Sequence, residues 1–250
     1  MKTNSYKKKL FIVVFSLLSG ILLIGIGSYY YVFHAPNINQ VEDETFLYIR
    51  DTDTFDDVLK QIESKAVISN RFTFIQVARR LKYTHMKPGR YALENKMSNV
   101  ELIRKLRNAQ QDPVKLQFNS LRTKEQLAGR IAEQIMVDSM SLITLMNDPE
   151  FLKQYEVTPA TVISLFIPNT YEVFWNIKAE NLFKRMKREY DHFWTSERKA
   201  KAAAIPMTQE EVIILASIIQ EETNKKSEYP IIAGLYINRL RKKMPLQACP

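Results

Sequence analysis

An apolar, uncharged run from Leu10 to Phe33 constrains this chain more than any other feature. As an α-helix, roughly 20 apolar residues cross the hydrocarbon core of a bilayer, so the run is long enough to span a membrane. A cleaved signal peptide has a shorter apolar stretch that ends in small residues, whereas this run ends in Tyr-Tyr-Tyr-Val-Phe-His. The sequence therefore predicts a retained transmembrane helix over residues 10–33.

The basic residues around this run predict its direction. Four lysines stand within the first nine residues, whereas Arg50 is the first Lys or Arg beyond the run. The flanks of membrane helices that carry more Lys and Arg usually face the cytoplasm. We therefore expect residues 1–9 to form a cytoplasmic tail and the chain after about residue 34 to lie outside the membrane.

The net charge narrows the range of partners. The 250 residues carry a formal charge of +9 at pH 7, which favours nucleic acid, anionic lipid or an acidic wall polymer as partner. Four of these charges are the N-terminal lysines, so +9 minus 4 leaves only +5 on the rest of the chain. Because that rest is predicted to be extracytoplasmic and has no basic-aromatic motif, we expect no nucleic acid partner.

Cysteine and histidine give no sign of a metal site. Cys249 is the only cysteine, and His34, His85 and His192 are scattered along the chain. Zinc sites need clustered Cys or His at characteristic spacings. The sequence therefore predicts no metal.

Beyond the membrane run, His34–Asn39 has the composition of a linker, and residues 44–112 alternate strand and helix patterns. The predicted elements are a strand at Phe46–Arg50, a helix begun by Thr54, a helix over Arg71–Leu81, a strand within Pro88–Leu93 and a helix capped by Ser98. This alternation predicts a small α+β module.

Residues 113–250 are predicted to form a second, mixed helix and strand domain, so that the fold class is α+β. Val114–Phe118 has a strand pattern, and residues 123–136 and 140–146 have helical periodicity. Ala179–Trp194 predicts an amphipathic helix with one apolar face.

One helix in this second domain ends in chemically useful residues. Thr208-Gln-Glu-Glu211 has the pattern of a capping box, and Val212–Ile219 is apolar around nearly the whole circumference, which predicts burial on most sides. Its last residues are Gln220, Glu221 and Glu222. The negative end of the helix dipole disfavours a carboxylate there, and partial burial would likewise favour the protonated form that a general acid needs.

The residues alone do not choose between the two glutamates. Glu222 continues the stripe of Leu215 and Ile218, whereas Glu221 continues the stripe of Ile214 and Ser217. A simpler interpretation also stays open, in which both glutamates are the solvated end of a core helix.

Several ordered motifs resemble the signature of the YceG-like (MltG) family. They are Leu215–Thr223, which reads Leu-Ala-Ser-Ile-Ile-Gln-Glu-Glu-Thr, then Ala233–Leu240, then Met244–Gln247 with Pro250. Leu165–Tyr171 resembles a further family motif, with Asn169 in place of aspartate. Pro88–Tyr91 and the preceding segment are similar to the family's LysM-like subdomain, which extends the resemblance over essentially the whole chain.

The resemblance assigns roles to single residues. The catalytic glutamate of the family motif falls on Glu222, whereas Glu221 occupies a lysine position and Gln220 replaces another glutamate. Cys249 stands where the family usually has aspartate. Family members continue beyond Pro250, so we expect residues 113–250 to be a truncated catalytic domain.

For function, the resemblance implies an endolytic lytic transglycosylase of the bacterial cytoplasmic membrane. Such an enzyme cuts the β-1,4 bond between N-acetylmuramic acid and N-acetylglucosamine within nascent glycan strands and leaves 1,6-anhydro ends, without metal or cofactor. Its partners would be peptidoglycan, the membrane and, through work at nascent strands, peptidoglycan synthases, and its cutting would terminate glycan elongation.

Four further residues are candidates for substrate contacts. Asn238 and Gln247 could orient sugar hydroxyl or acetamido groups, since amides both donate and accept hydrogen bonds. Tyr171 could form a stacking wall, and Glu228 could be a second acid near the cleft. For each the alternative is a structural hydrogen bond or a core aromatic.

Two other functions stay open. An anchored, non-catalytic scaffold would hold glycan without cutting it, and a hydrolase would use the same glutamate with water. The ends of the cut strands distinguish them from a transglycosylase.

Overall fold

The computed structural model describes residues 3–246, which divide into two compact units. The first comprises the chain up to Pro113 together with Phe174–Asn176, and the second comprises Val114–Val173 and the chain from Ile177 onward. The mixture of helices and antiparallel strands confirms the predicted α+β class. The predicted likeness of the first unit to LysM stays a prediction.

The elements of the first unit alternate between helix and strand. They are α1 (Thr3–Phe33), β1 (Pro36–Asn39), β2 (Phe46–Ile49), α2 (Phe55–Lys65), β3 (Val67–Ile68), α3 (Arg71–Arg80), β4 (Gly89–Ala92), β5 (Met97–Ser98) and α4 (Asn99–Arg107).

Helix α1 contains the apolar run found in the sequence. Its segment Leu10–Phe33 has a mean hydropathy of 2.7, and none of that segment's most apolar window is buried by the rest of the protein. A helix that is this apolar and uncovered has no protein core to enter, so its length and composition suit a membrane.

The predicted linker at His34–Asn39 is wrong, because β1 forms there. β1 is the central strand of a three-stranded antiparallel sheet in the order β3-β1-β5. Asn37, whose polarity suggested a linker, is buried, and its amide donates to Asn99 Oδ1 (2.6 Å) and accepts from the backbone N–H of Asn70 (2.7 Å). These hydrogen bonds satisfy the amide and let a polar strand enter the core.

A second sheet and three helices complete the first unit. β2 pairs with β4 in antiparallel register, with Leu47 opposite Tyr91. Capping boxes begin α2 and α4, at Thr54 and Ser98 as predicted. The helices bury their apolar faces against the sheets, and the largest fully buried side chains of this core are Ile38, Leu47, Ile49, Leu59, Ile62, Phe74, Tyr91, Leu102, Ile103 and Leu106.

The second unit is mainly helical. Its elements are β6 (Val114–Phe118), α5 (Lys124–Ala132), α6 (Ser139–Asn147), α7 (Pro149–Lys153), a 3-10 turn (Val162–Leu165), β7 (Asn169–Val173), α8 (Ala179–Phe193), α9 (Ser196–Ala204), α10 (Gln209–Glu222) and α11 (Tyr229–Arg241). β6 and β7 pair antiparallel, with Leu116 opposite Tyr171. The predicted apolar face of α8 is confirmed, since Leu182, Phe183 and Met186 are fully buried.

The predicted burial of α10 on most sides is wrong for the described chain. Leu215 and Ile219 are buried and form a small cluster with Tyr236 of α11, whereas Ile214 is 43% exposed. The hydropathy of a segment indicates how much apolar surface it offers, but only tertiary contacts decide how much of it is covered.

Candidate functional site

The sequence fixes where α10 begins and ends. The Thr208 hydroxyl accepts the backbone N–H of Glu211 (3.2 Å), and the Glu211 carboxylate accepts the backbone N–H of Thr208 (2.7 Å), as the capping-box pattern predicts. Glu222 is the last helical residue, and Thr223 is extended. Gln220, Glu221 and Glu222 therefore share the last turn.

One side of this last turn lines a cavity of about 420 Å³ in the second unit. Four segments line it: the connection after β6, Leu127 of α5, residues 160–168 around the 3-10 turn, and one face of α10. The apolar lining residues are Leu121, Leu127, Ala160, Ile163, Phe166, Pro168, Ile213, Ile214 and Ile218. The polar ones are Asn119, Ser120, Arg122, Thr161, Ser164, Ser217, Glu221 and Glu222. Apolar walls with a few convergent polar groups are typical of ligand sites.

Residues in the connection after β6 contact two of the three polar residues on the last turn of α10. Ser120 Oγ donates a hydrogen bond to Gln220 Oε1 (2.9 Å), and the guanidinium of Arg122 forms an ion pair with the carboxylate of Glu221. Both contacts lie at the protein surface, where such interactions stabilise weakly. These contacts fix the position of the end of α10 relative to the end of β6, which is distant in sequence.

Glu222 differs from its neighbour in having no such partner. Its side chain is exposed, and within residues 3–246 no hydrogen bond or ion pair engages its carboxylate. Glu221 and Glu222 are thus both exposed residues, although about half of the Glu221 side chain is covered. Of the two, Glu222 is the one whose carboxylate is free to meet a ligand in the cavity.

Tyr171, the candidate stacking wall, lies in the core. It is 4% exposed, its hydroxyl donates to the backbone carbonyl of Ile167, and its ring centroid is 5.5 Å from that of Phe118. Burial raises the pKa of the Tyr171 phenol to about 12. This environment fits the alternative of a core aromatic, and the residue does not line the cavity.

Two other candidates lie on or beside α11 rather than in the cavity lining. Glu228 accepts a hydrogen bond from the Thr223 hydroxyl (2.7 Å), and Lys225 Nζ is 3.5 Å from its other carboxylate oxygen. Asn238 is exposed on α11. Gln247, like Cys249, lies outside the described residues.

No group of three or more His, Cys, Asp or Glu residues that could hold a metal ion occurs in the part of the chain that the structure describes.

The sequence did not single out Ser120, Arg122 or Ser217 as site residues. Asn119 to Arg122 follow directly after β6, where the end of a strand commonly presents functional groups. The position of these residues at a strand end could therefore have indicated a functional role. It could not have predicted that they contact α10, which begins some 90 residues later in the chain.

Comparison with protein families places the chain among known sequences. The model of the YceG-like family matches residues 47–250, which covers both units apart from α1 and β1.

Curated relatives match at low identity. An endolytic murein transglycosylase of Streptococcus pneumoniae (strain ATCC BAA-255 / R6) is 23% identical over 75% of this chain and 38% of its own length. An endolytic murein transglycosylase of Bacillus subtilis (strain 168) is 27% identical over 50% of this chain and 39% of its own length. The chain thus spans well under half the length of these relatives.

A solved structure supports the fold. The crystal structure of a yceG-like protein from Listeria monocytogenes superimposes with a TM-score of 0.50 at 24% identity, covering 81% of this chain and 72% of that chain. At this identity the likeness concerns the fold alone.

Proposed function

The chain belongs to the YceG-like family, and from this premise we propose that it is an endolytic murein transglycosylase whose acid and base is Glu222. Its substrate would be nascent peptidoglycan glycan, cut at the bond between N-acetylmuramic acid and N-acetylglucosamine. The names of the curated relatives support this reaction class.

The observation that carries the proposal is the free carboxylate of Glu222 at the cavity. Glu221 forms an ion pair with Arg122, and Gln220 accepts from Ser120, whereas Glu222 lines the same cavity without a partner among residues 3–246. A general acid must be able to approach the atom that it protonates. Glu222 meets this requirement, and a carboxylate held in an ion pair meets it less well.

The proposed reaction uses this carboxyl group twice. The protonated Glu222 gives its proton to the glycosidic oxygen as the bond from that oxygen to the anomeric carbon breaks. The C6 hydroxyl of the muramic acid then adds to the anomeric carbon and returns its proton to the Glu222 carboxylate. The products are a 1,6-anhydro end and a strand with a free hydroxyl, and no water is consumed.

This route explains why one carboxylate is enough. Most glycoside hydrolases pair an acid with a second carboxylate that serves as nucleophile or base. In the proposed reaction the substrate supplies its own nucleophile, so neither a second acid nor a metal is required. Glu221 would then act as an anchor for Arg122 rather than as a catalytic group.

Other cavity residues suit a sugar ligand. Ser120 and Ser217 offer hydroxyls that can exchange hydrogen bonds with sugar hydroxyl and acetamido groups. The isoleucines of α10 that line the cavity, Ile213, Ile214 and Ile218, offer apolar surface to the C–H faces of pyranose rings. We further propose that Asn238, Gln247 and Glu228 contribute at the margin of the substrate, whereas Tyr171 supports the sheet beneath the site.

The apolar helix α1 supports a location for this activity. We propose that residues 10–33 span the bacterial cytoplasmic membrane once, with residues 1–9 inside and the chain after about residue 34 outside. Cutting beside the membrane would act on strands as they are made, which would end their elongation and bring the protein next to peptidoglycan synthases.

The test is mass spectrometry of purified murein glycan after incubation with the protein and with its Glu222→Gln variant. We expect internal 1,6-anhydro ends from the wild type and a loss of about a hundredfold to ten-thousandfold in the variant, as for removal of a general acid. Glu221→Gln is the matched control, since it makes the same change one residue earlier, and it should lower the activity no more than severalfold.

The products separate the competing functions. Reducing ends in place of anhydro ends would show a hydrolase that uses the same glutamate with water. Binding of glycan without any cleavage would show a non-catalytic, anchored scaffold. Equal activity of wild type and Glu222→Gln would overturn the assignment of the acid.

A further inference from the structure

Within the first unit, the folded part that begins with β1 follows directly on the end of α1, without a flexible linker. Val32 and Phe33 of α1 pack against the core of this unit, and β1 begins after only two intervening residues. The side-chain amide of Asn99 donates to the backbone carbonyl of Val32 (2.8 Å). The unit is therefore held close to the surface of whatever membrane α1 spans, and this inference rests on the membrane anchoring proposed above.

Helix α3 begins beside this junction. The same Asn99 amide that contacts Val32 lies 3.2 Å from the hydroxyl of Thr73, in the first turn of α3. A single side chain thus bridges the last turn of α1 and the first turn of α3. Phe72, the residue before Thr73, is consequently close to the outer end of the apolar helix.

The outer face of α3, defined here as Phe72, Gln76, Arg79 and Arg80, is aromatic and basic. Phe72 is 69% exposed, which is unusual for a large aromatic side chain in water. Gln76, Arg79 and Arg80 are exposed as well, and the helix contains no acidic residue. The opposite face, with Phe74, Val77 and Ala78, is buried. An apolar ring flanked by arginines is typical of surfaces that meet anionic lipid headgroups.

We propose that the outer face of α3 binds an anionic lipid surface. Phe72 inserts at the boundary of headgroups and acyl chains, and Arg79 and Arg80 bind lipid phosphates. The start of α3 lies beside the end of the apolar anchor, and the basic charge of its outer face is complementary to anionic lipid headgroups. The contact would fix the orientation of the first unit on the membrane, in addition to the tether that α1 provides.

The experiment measures the depth of nitroxide labels in the full chain reconstituted into vesicles. Labels are placed at Phe72→Cys, at Lys65→Cys on the exposed surface of α2, and at Leu22→Cys within α1, each in a Cys249→Ser background. The vesicles contain phosphatidylglycerol and phosphatidylcholine, or phosphatidylcholine alone. Collision with oxygen, which partitions into lipid, is compared with collision with a water-soluble nickel chelate.

We expect the oxygen-to-nickel ratio at position 72 to exceed that at position 65 severalfold in the anionic vesicles and to fall in phosphatidylcholine alone. Arg79→Glu with Arg80→Glu should lower the ratio at position 72, whereas Lys60→Glu with Lys65→Glu, which changes the net charge equally on α2, should not. Equal ratios at positions 72 and 65 would overturn the proposal. A water-exposed label at position 22 would instead overturn the membrane anchor itself, and circular dichroism of each variant shows whether it is folded.

Discussion

The hydroxyl of Ser120 donates a hydrogen bond to the amide oxygen of Gln220 at 2.9 Å, and this bond joins residues 100 positions apart in the sequence. It connects the segment after β6 to the last turn of α10, two residues before Glu222. Both side chains of this bond are uncharged.

This relationship predicts non-additive kinetics. Ser120→Ala and Gln220→Ala should each slow glycan cleavage severalfold, because each releases the same tether, and the double variant should be no slower than the slower single one. The unfolding free energy should change by less than about 1 kcal/mol, since the hydrogen bond is exposed. Cleavage rates and denaturant unfolding of the four proteins check this.

Independent, multiplicative losses in the double variant would contradict a shared role. Ser64→Ala is a suitable control, because its exposed hydroxyl donates to the backbone carbonyl of Gln61, in the first unit.

The start of α10 gives a prediction about stability. Thr208→Ala removes the hydroxyl that accepts the N–H of Glu211, and loss of such an N-cap costs about 1 kcal/mol. Thr208→Ser keeps the hydroxyl and should be close to wild type. Urea unfolding followed through Trp194, which lies in the same unit, measures the effect. Equal loss in both variants would show that the methyl group matters rather than the cap.

These caps also show what the sequence could predict. Thr54, Ser98 and Thr208 each begin a helix as expected, because a capping box is contained within four consecutive residues. The strand β1 was missed for the opposite reason. Its buried Asn37 depends on Asn70 and Asn99, which no local pattern connects to it.

In the candidate site, too, local sequence patterns predicted some features and missed others. The family motif indicated Glu222, and the structure adds that its neighbour Glu221 forms an ion pair with Arg122. That contact depends on the path of the chain between β6 and α10, which the periodicity of apolar residues does not predict. β7 was likewise missed, because Pro168-Asn169 has the composition of a turn although Tyr171 and Val173 alternate as buried strand residues.

Glu101 predicts a dependence of stability on acid. Hydrogen bonds from the backbone N–H and the hydroxyl of Ser98 hold the pKa of the Glu101 carboxyl below its ordinary 4.5. A depressed folded-state pKa contributes stability above pH 4.5 and loses it as the pH falls through the lower folded value. The contribution is expected to stay below about 1 kcal/mol, because solvent screens this exposed group.

The measurement compares urea unfolding of wild type and Glu101→Gln from about pH 6 down to about pH 2. The amide still accepts the Ser98 hydrogen bonds but does not titrate. The difference between the two proteins should therefore shrink as the pH falls. A constant difference over the whole range would show that the charge of Glu101 contributes nothing.

Tyr171 predicts a loss of stability at alkaline pH, and a substitution there also tests whether this residue contacts the substrate. Burial raises the pKa of its phenol from 10.0 to about 12, so the unfolded chain loses this proton first, and the unfolding free energy falls as the pH rises above 10. Tyr171→Phe removes this loss, although at neutral pH it leaves the Ile167 carbonyl unpartnered at a cost of about 1 kcal/mol.

Because the ring packs on Phe118 outside the cavity lining, glycan cleavage by the variant should stay within about twofold of wild type, well below the effect of removing a group used in catalysis. A much larger loss of activity, with stability retained, would place Tyr171 against the substrate as a stacking wall after all.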